Sequence, residues 1–344
     1  MLEHVINGNE AGQRLDKFLV KYLPLAPKSF FYKMLRKKNI TLNGRKAAGS
    51  EKLAEGDCIR FFLSEETMGK FSGQKKPAQR MPARAPRSLP APDILYEDRH
   101  TIFLNKPVGM LSQKAASNDY SLVEYLTGYL LDSGQLTEDD LRTFHPAVCN
   151  RLDRNTSGIV AAGKTLPALQ ELSRLFRERG VKKDYLCLVD GTVREEAHID
   201  GYLTKDAKTN RVRFSKTESP GAARIETGYS PLAYGDGVTL LEVRLFTGKT
   251  HQIRAHMASA GFPIIGDPKY GDKRTNDRYR KEFGLTCQLL HAARLSVPED
   301  AGCALEELAG KTILAPLPEL FRKVCRAKNI GKEYLEWQHG IQEG

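Results

Sequence analysis

Residues 64–91, "SEETMGKFSGQKKPAQRMPARAPRSLPA", set the first limit on what this chain can become. The stretch is rich in Pro, Ala, Gly, Lys and Arg and nearly free of β-branched residues. Such a segment buries too little apolar area to offset the entropy of ordering it. It reads as a flexible basic linker over 64–91, and it divides the 344 residues into a small unit over 1–63 and a large one over 92–344. With 40% apolar residues overall, both parts can bury a core.

The small unit opens with "RLDKFLVKYL", whose apolar residues at 15, 18, 19, 22 and 23 form a helical stripe. "PKSFFYKMLRKKN" predicts a second helix after Pro27. One side carries Phe30, Phe31, Met34 and Leu35, and Lys33, Arg36, Lys37 and Lys38 supply a basic edge. "ITLNGRKA" predicts a strand and an Asn-Gly hairpin turn, and "DCIRFFL" a closing strand. Two helices, a basic edge and a small hairpin resemble the S4 RNA-binding domain over about residues 12–63. That resemblance implies Lys33, Arg36 and Lys37 as RNA contacts.

From about residue 92 strands and helices alternate without an internal repeat. "TIFLNKP", "IVAAGK", "KDYLCLVDG" and "GVTLLEVRLF" read as strands, with "ARIETGYSPLA" close enough to the last to pair with it antiparallel. "LPALQELSRLFRERG" is an amphipathic helix stopped by Gly180. "THQIRAHMASAG" is a short helix opened by Thr250 and closed by Gly261. This order predicts an α+β fold with a mixed, largely antiparallel sheet flanked by helices, rather than a doubly wound parallel one.

The formal net charge is +11 and the pI about 9.3. A surplus of that size points to a polyanion partner, most simply nucleic acid. No run of about 18 apolar residues is present, so no membrane span is expected. The N-terminus lacks the pattern of a signal peptide. Six cysteines, none in a C-x-x-C, fit a reduced, cytoplasmic chain with mostly buried thiols. No metal site is expected: His251 and His256 are five apart, off the spacing that aligns ligands on a helix, and His291 stands alone in "LLHAARL".

One stretch invites two chemistries. In "CNRLDRNTSGIVAAGKT", Gly158–Thr165 fits the phosphate-loop pattern G-x-x-x-x-G-K-[ST]. The four residues between its glycines are the most strand-like of the stretch, however, where a phosphate cradle needs a loop. The polar half is the better lead. An extended Arg151–Asp153 puts both side chains on one face and Leu152 in the core. Nearby cations would keep the Asp153 carboxylate ionised, and a positioned carboxylate can act as a nucleophile at a sugar carbon.

"NKPVGM", "NRLDRNTSG", "KDYLCLVDG", "TGKTHQIRAHMASAGFPIIGDPKYG" and "LLHAARL", in this order, resemble the RluA family of pseudouridine synthases from residue 94 to about 300. The S4-like unit in front is the arrangement of the branch that modifies large-subunit ribosomal RNA. The resemblance implies isomerisation of uridine to pseudouridine in structured RNA, with no cofactor, by a monomer away from membranes. A transfer-RNA enzyme of the same family, and an RNA-binding assembly factor without catalysis, are the alternatives. It places the catalytic aspartate on Asp153, a tyrosine that packs on the uracil on Tyr185, and a carboxylate-pairing arginine on Arg254. Arg151 would enter the RNA where the base has left. Ile253, Lys249 and Lys106 would contact substrate or RNA. Two positions depart from the family pattern: Asn150 where His is usual, and Lys249 where Arg is usual. Lys cannot offer the bidentate fork of Arg.

Overall fold

The structure, a computed structural model, describes residues 1–72, 89–206, 211–331 and Trp337. Most of the expected linker, residues 73–88, lies outside the described residues.

The N-terminal unit contains β1 (Leu2–Val5), α1 (Leu15–Tyr22), α2 (Lys28–Arg36), β2 (Ile40–Leu42), β3 (Arg45–Lys46) and β4 (Cys58–Phe61). The strands form a four-stranded antiparallel sheet in the order β1-β4-β2-β3. The stripe read from the sequence puts Leu15, Phe18, Leu19 and Tyr22 inward on α1. Phe18, Tyr22 and Phe61 stack with centroids 5.4 and 5.3 Å apart. Asn43 and Gly44 both take positive φ, 51° and 72°, as a type I′ hairpin turn requires. Lys33, Arg36 and Lys37 are exposed.

Two expectations change here. Residues 65–71 are not linker. They form α3 (Glu65–Phe71), capped by Ser64 and anchored by Phe71 against Phe30, with centroids at 4.6 Å. The compositional reading missed it because two apolar side chains, Met68 and Phe71, suffice to dock about two turns. The unit is also docked, not merely tethered. Glu10, 2% exposed, accepts a hydrogen bond from Thr143 of the large unit at 2.6 Å. Arg142 lies over the Tyr22 ring at 4.7 Å, and Asn7 donates to Asp140.

The large unit adds β5 (Asp93–Glu97), β6 (Thr101–Lys106), α4 (Leu122–Asp132), β7 (Ala147–Val148), β8 (Ser157–Gly163), α5 (Leu166–Arg177), β9 (Lys182–Asp190), β10 (Ala197–Asp206), β11 (Arg211–Ser215), β12 (Ala223–Gly235) and β13 (Val238–Leu245). It ends with α6 (Gln252–Ser259), α7 (Lys273–Phe283), β14 (Leu290–Ser296), β15 (Thr312–Leu314) and α8 (Glu319–Ala327). One 11-stranded sheet runs β11-β10-β12-β13-β9-β14-β8-β6-β5, with β15 on β14 and β7 on β8. Every pairing is antiparallel except β8 with β14. The expected α+β architecture is present.

Alternation along the strands builds the two faces. Tyr185, Cys187 and Val189 of β9 and Leu241 and Val243 of β13 face α4 and α6. Leu186, Leu188 and Leu240 face α7 and α8. β8 is buried throughout: Val160 and Ala162 join the first face, while Ile159 and Ala161 pack under α5. A strand covered on both sides must be continuously apolar, and "GIVAAG" is. The Gly158–Thr165 pattern is therefore a core strand and not a cradle. Lys164 ends it in an ion pair with Glu97 at 2.7 Å and a hydrogen bond to Gln135.

Two helix ends differ from their expected positions. α5 is closed by Arg179 in the left-handed region (φ 64°), with Gly180 N–H returning to Leu175 C=O at 2.9 Å. α6 starts at Gln252 after a left-handed His251, so Thr250 is not its cap. The Gln252 side chain instead ties down the loop before the helix, accepting from Lys249 N–H and Thr247 Oγ1.

Gly158 sits where the parallel strands touch. Its φ is 112°, and a Cβ there would lie 2.2 Å from Ala292 O. Gly158→Ala is expected to cost at least about 3 kcal/mol. Gly237→Ala, left-handed but in open space, is expected to cost only about 1–2 kcal/mol. Thermal unfolding checks the contrast; equal shifts would contradict the close approach.

Candidate active site

The segment 150–156 crosses the first sheet face between β7 and β8. Its path is fixed from several sides. Asn150 donates to Ile159 O and accepts from Ala161 N–H, so the amide that replaces the usual histidine ties the segment to β8. Ser112 Oγ donates to Leu152 O and accepts Leu152 N–H, both at 3.0 Å. Gln288 donates to Thr156 Oγ1. Gly109 N–H donates to Arg154 O at 2.9 Å. Leu152 points into the core while Arg151 is exposed and Asp153 half-buried, the alternation expected from an extended run.

Lys106 completes this support from below. It is fully buried, and its Nζ donates to Pro107 O (3.0 Å), Met110 O (2.8 Å) and Arg154 O (3.1 Å). The expectation that Lys106 contacts RNA is therefore corrected. A side chain with no exposed surface reaches no ligand, and its ammonium is spent on the backbone that carries Asp153. Burial pulls its pKa down to about 7, against the raising effect of the Asp153 charge.

Asp153 meets Arg254 from α6. Arg254 Nη1 donates to Asp153 Oδ2 at 2.8 Å. The same guanidinium donates Nε and Nη2 to the two oxygens of Asp267, at 2.7 and 2.8 Å. Asp267 has no exposed surface, and Lys269 and Tyr270 N–H also donate to it. Burial disfavours the Arg254 charge, yet the hydrogen bonds and charges of Asp267 and Asp153 outweigh this and raise its pKa. Asp267 is held below the ordinary carboxylate range: burial raises it, but Arg254 and the two backbone donors overcome that. Such fork-to-fork geometry leaves the guanidinium no freedom to turn.

Tyr185 projects from β9 into the same cleft. Burial first, and the Asp153 charge second, push its phenol well above the ordinary value. At neutral pH it is a protonated hydroxyl on an aromatic face.

A cleft of about 1230 Å³ gathers Arg151, Asp153, Tyr185, Lys249, Ile253 and Arg254. Lys33, Arg36 and Lys37 stand apart from it on the N-terminal unit. Among the described residues lining the cleft, Asp153 is the one acid. The bases are Lys114, Arg151, Arg154, Arg177, Arg179, Lys183, Arg224, Lys249, Arg254 and Lys269. That imbalance suits a polyanionic strand that must bring one uncharged nucleobase to one carboxylate.

The sequence reading missed Asp267, His251 and the support by Ser112 and Gln288. Asp267 carried a signal: in "FPIIGDPKYG" a carboxylate directly follows an apolar run, where an unpaired charge could not stay. Ser112 and Gln288 carried none, since they act by position alone.

A cleft in which, among the described residues, ten cations surround one fixed carboxylate suits an enzyme that acts on a polyanion such as RNA. The comparisons agree. The family described as RNA pseudouridylate synthase matches residues 100–259. Ribosomal large subunit pseudouridine synthase C of Vibrio vulnificus (strain CMCP6) is 32% identical over 324 residues, covering 94% of this chain and 95% of that protein. The Escherichia coli (strain K12) protein of the same name is 33% identical over 84% of this chain and 86% of its own length. The solved structure of Human RNA Pseudouridylate Synthase Domain Containing 4 shares the fold, with TM-score 0.54 at 22% identity over 68% of this chain and 91% of that one. The chain belongs to the RNA pseudouridine synthase family.

Lys106→Met keeps the stem but leaves three carbonyls short of a donor, at about 2–4 kcal/mol of stability. The loss has a pH signature. In the folded protein Lys106 releases its proton near 7, in the unfolded chain only near 10.5. Between these values the unfolded chain binds more protons, so wild-type stability gains with rising pH. The gap between wild type and Lys106→Met should widen above pH 7, by up to about 1.4 kcal/mol per pH unit. Denaturant titrations at pH 6, 7.5 and 9 test this; a gap that narrows contradicts the burial.

Proposed function

We propose that this synthase isomerises uridine in large-subunit ribosomal RNA, with Asp153 as the group that acts on the target ribose. One observation carries the reading: among the described residues Asp153 is the single acid in a cleft with ten cations, and a guanidinium locked by Asp267 holds one of its oxygens. The substrate class is supported by relatives named for the large ribosomal subunit that align over most of both chains.

The reaction breaks N1–C1′, forms C5–C1′, returns a proton to N1 and loses one from C5. It involves no net redox change. Asp153 either attacks C1′, in parallel with retaining glycosidases, or takes the C2′ proton to give a glycal. Both routes need a carboxylate that does not drift, which Arg254 supplies. Tyr185 offers its ring face to the everted uracil, and its un-ionised hydroxyl can deliver or relay a proton. Ile253, 4% exposed beside Arg254, packs against the base. Arg151, exposed next to Asp153, fills the gap left in the RNA and offsets part of the few kcal/mol of base eversion. Lys249 and the other rim cations take phosphates. The N-terminal unit acts as an S4-like RNA module, with Lys33, Arg36 and Lys37 along the backbone of the same RNA.

The cleft is complete within one chain, which supports a monomer as the working form. Six free cysteines support the reducing cytoplasm. No helix among the described residues is long and apolar enough to cross a membrane.

Asp153→Ala should lower pseudouridine formation by at least about a thousandfold while RNA affinity changes little. Substantial residual turnover would mean that another group does the chemistry. Mapping pseudouridine in all stable RNAs from cells with and without the gene should show losses confined to the large-subunit RNA; losses in transfer RNA instead would overturn the substrate.

A further inference from the structure

One polar group beside Asp153 has no part in the chemistry described so far. His251 precedes α6 in the left-handed region, with φ 56° and ψ 18°. A residue with a Cβ pays about 1–2 kcal/mol to stay there, so the surroundings must hold it. Its side chain is only 8% exposed. The ring Nδ1 lies 3.0 Å from the Tyr270 hydroxyl, and that hydroxyl accepts Val212 N–H at 2.8 Å.

This chain of bonds favours one tautomer. The Tyr270 oxygen could accept a second hydrogen beside that of Val212 N–H, but its own single proton has no acceptor other than His251 Nδ1 among the described residues. The arrangement that uses every group gives the Tyr270 proton to Nδ1 and leaves the imidazole hydrogen on Nε2. The charged groups that face the ring are Asp153, Arg254, Lys269 and Asp267. Burial, aided by Arg254 and Lys269, keeps its pKa below the ordinary value. His251 is thus a neutral Nε2–H donor lodged in the cleft wall.

That donor lies 3.9 Å from Asp153 Oδ2, too far for a direct hydrogen bond. No other partner for Nε2 is present among the described residues. The spacing instead fits one atom between them: an oxygen about 2.8 Å from each subtends about 90°. The atom must accept from His251 and donate to Asp153. A uracil carbonyl or a phosphate oxygen cannot donate, and an amide N–H cannot accept. A hydroxyl does both. On a nucleotide whose C1′ faces Asp153, the 2′-hydroxyl sits on the neighbouring carbon.

We propose that His251 and Asp153 together grip the ribose 2′-hydroxyl of the target nucleotide, which makes His251 a specificity-determining residue that selects ribose over deoxyribose. The inference rests on the reading of Asp153 given above. It also divides the carboxylate's labour. Oδ2 receives Arg254 and the hydroxyl, and Oδ1 is left to reach the sugar carbon.

The test uses an RNA fragment around a uridine the enzyme converts, made with either uridine or 2′-deoxyuridine at that position. Affinities are measured with Asp153→Ala, so that no turnover intervenes, and with Asp153→Ala/His251→Asn. Asn tolerates the left-handed backbone but is too short to place a donor at Nε2. Asp153→Ala should bind the ribose form about three- to tenfold more tightly, the worth of one neutral hydrogen bond. The double variant should bind both forms equally, and His251→Gln, whose amide reaches the Nε2 position, should restore part of the preference. The same preference in single and double variants, or none in either, overturns the proposal. Nitrogen chemical shifts of the wild-type imidazole give a check that needs no variant: a hydrogen on Nδ1 at neutral pH would also overturn it. Failure of the Asp153 reading looks different, because Asp153→Ala would then keep making pseudouridine.

Discussion

The interaction on which the site depends is the buried pair between Arg254 and Asp267. Taking two charges out of water costs several kcal/mol each, and their attraction repays this only when geometry is close to ideal. Here the fork-to-fork bonds are 2.7 and 2.8 Å, and two backbone N–H groups complete the solvation of Asp267. The pair is therefore a poor source of stability and a good source of direction. With Nε and Nη2 consumed by Asp267, Nη1 has one orientation left, toward Asp153. A surface arginine could make the same contact, but it would spend side-chain entropy each time and follow the carboxylate wherever it moved.

The partner of that guanidinium needs equal restraint, and it sits on a segment with no regular structure. Loops gain precision when other elements consume their backbone groups. Ser112 closes both polar groups of Leu152, Lys106 and Gly109 share the carbonyl of Arg154, and Asn150 spans two residues of β8. Asn150 shows why a departure from a family pattern at one residue need not touch the chemistry. Its amide, although it lines the cleft, gives one donor and one acceptor to the strand.

These two supports differ in how far the sequence revealed them. The sheet was legible because period-two alternation in "LLEVRL" and the unbroken apolar run in "GIVAAG" state their burial directly. The expectation of chemistry at Asp153, Tyr185 and Arg254 came from the resemblance of whole segments in order, since a lone Asp, Tyr or Arg states nothing; the structure brings the three into one cleft. Lys106 misled because a lysine in a polar turn reads as a surface charge, and only the third dimension brings three carbonyls to its nitrogen. His251 and Asp267 escaped for the opposite reason. Their roles follow from a backbone angle and from a partner 13 residues away. The helix α3 and the docking of the N-terminal unit through Glu10, Tyr22 and Asn7 rest on a few contacts each, which composition averages out.

The separation of roles inside the cleft follows from the range of each force. Exposed cations act over about 8–10 Å through solvent and are screened by salt, so Arg177, Arg179 and Arg224 on the rim can gather RNA but cannot choose among its nucleotides. Choice needs groups whose energy changes steeply within an ångström. Only the desolvated floor offers these: the aromatic face of Tyr185, the fixed carboxylate of Asp153 and the oriented imidazole of His251. On the proposed reading a stacked uridine meets none of them, whereas an everted one meets all three at once. The cost of eversion therefore falls on every nucleotide, and the floor repays it only to one that fits.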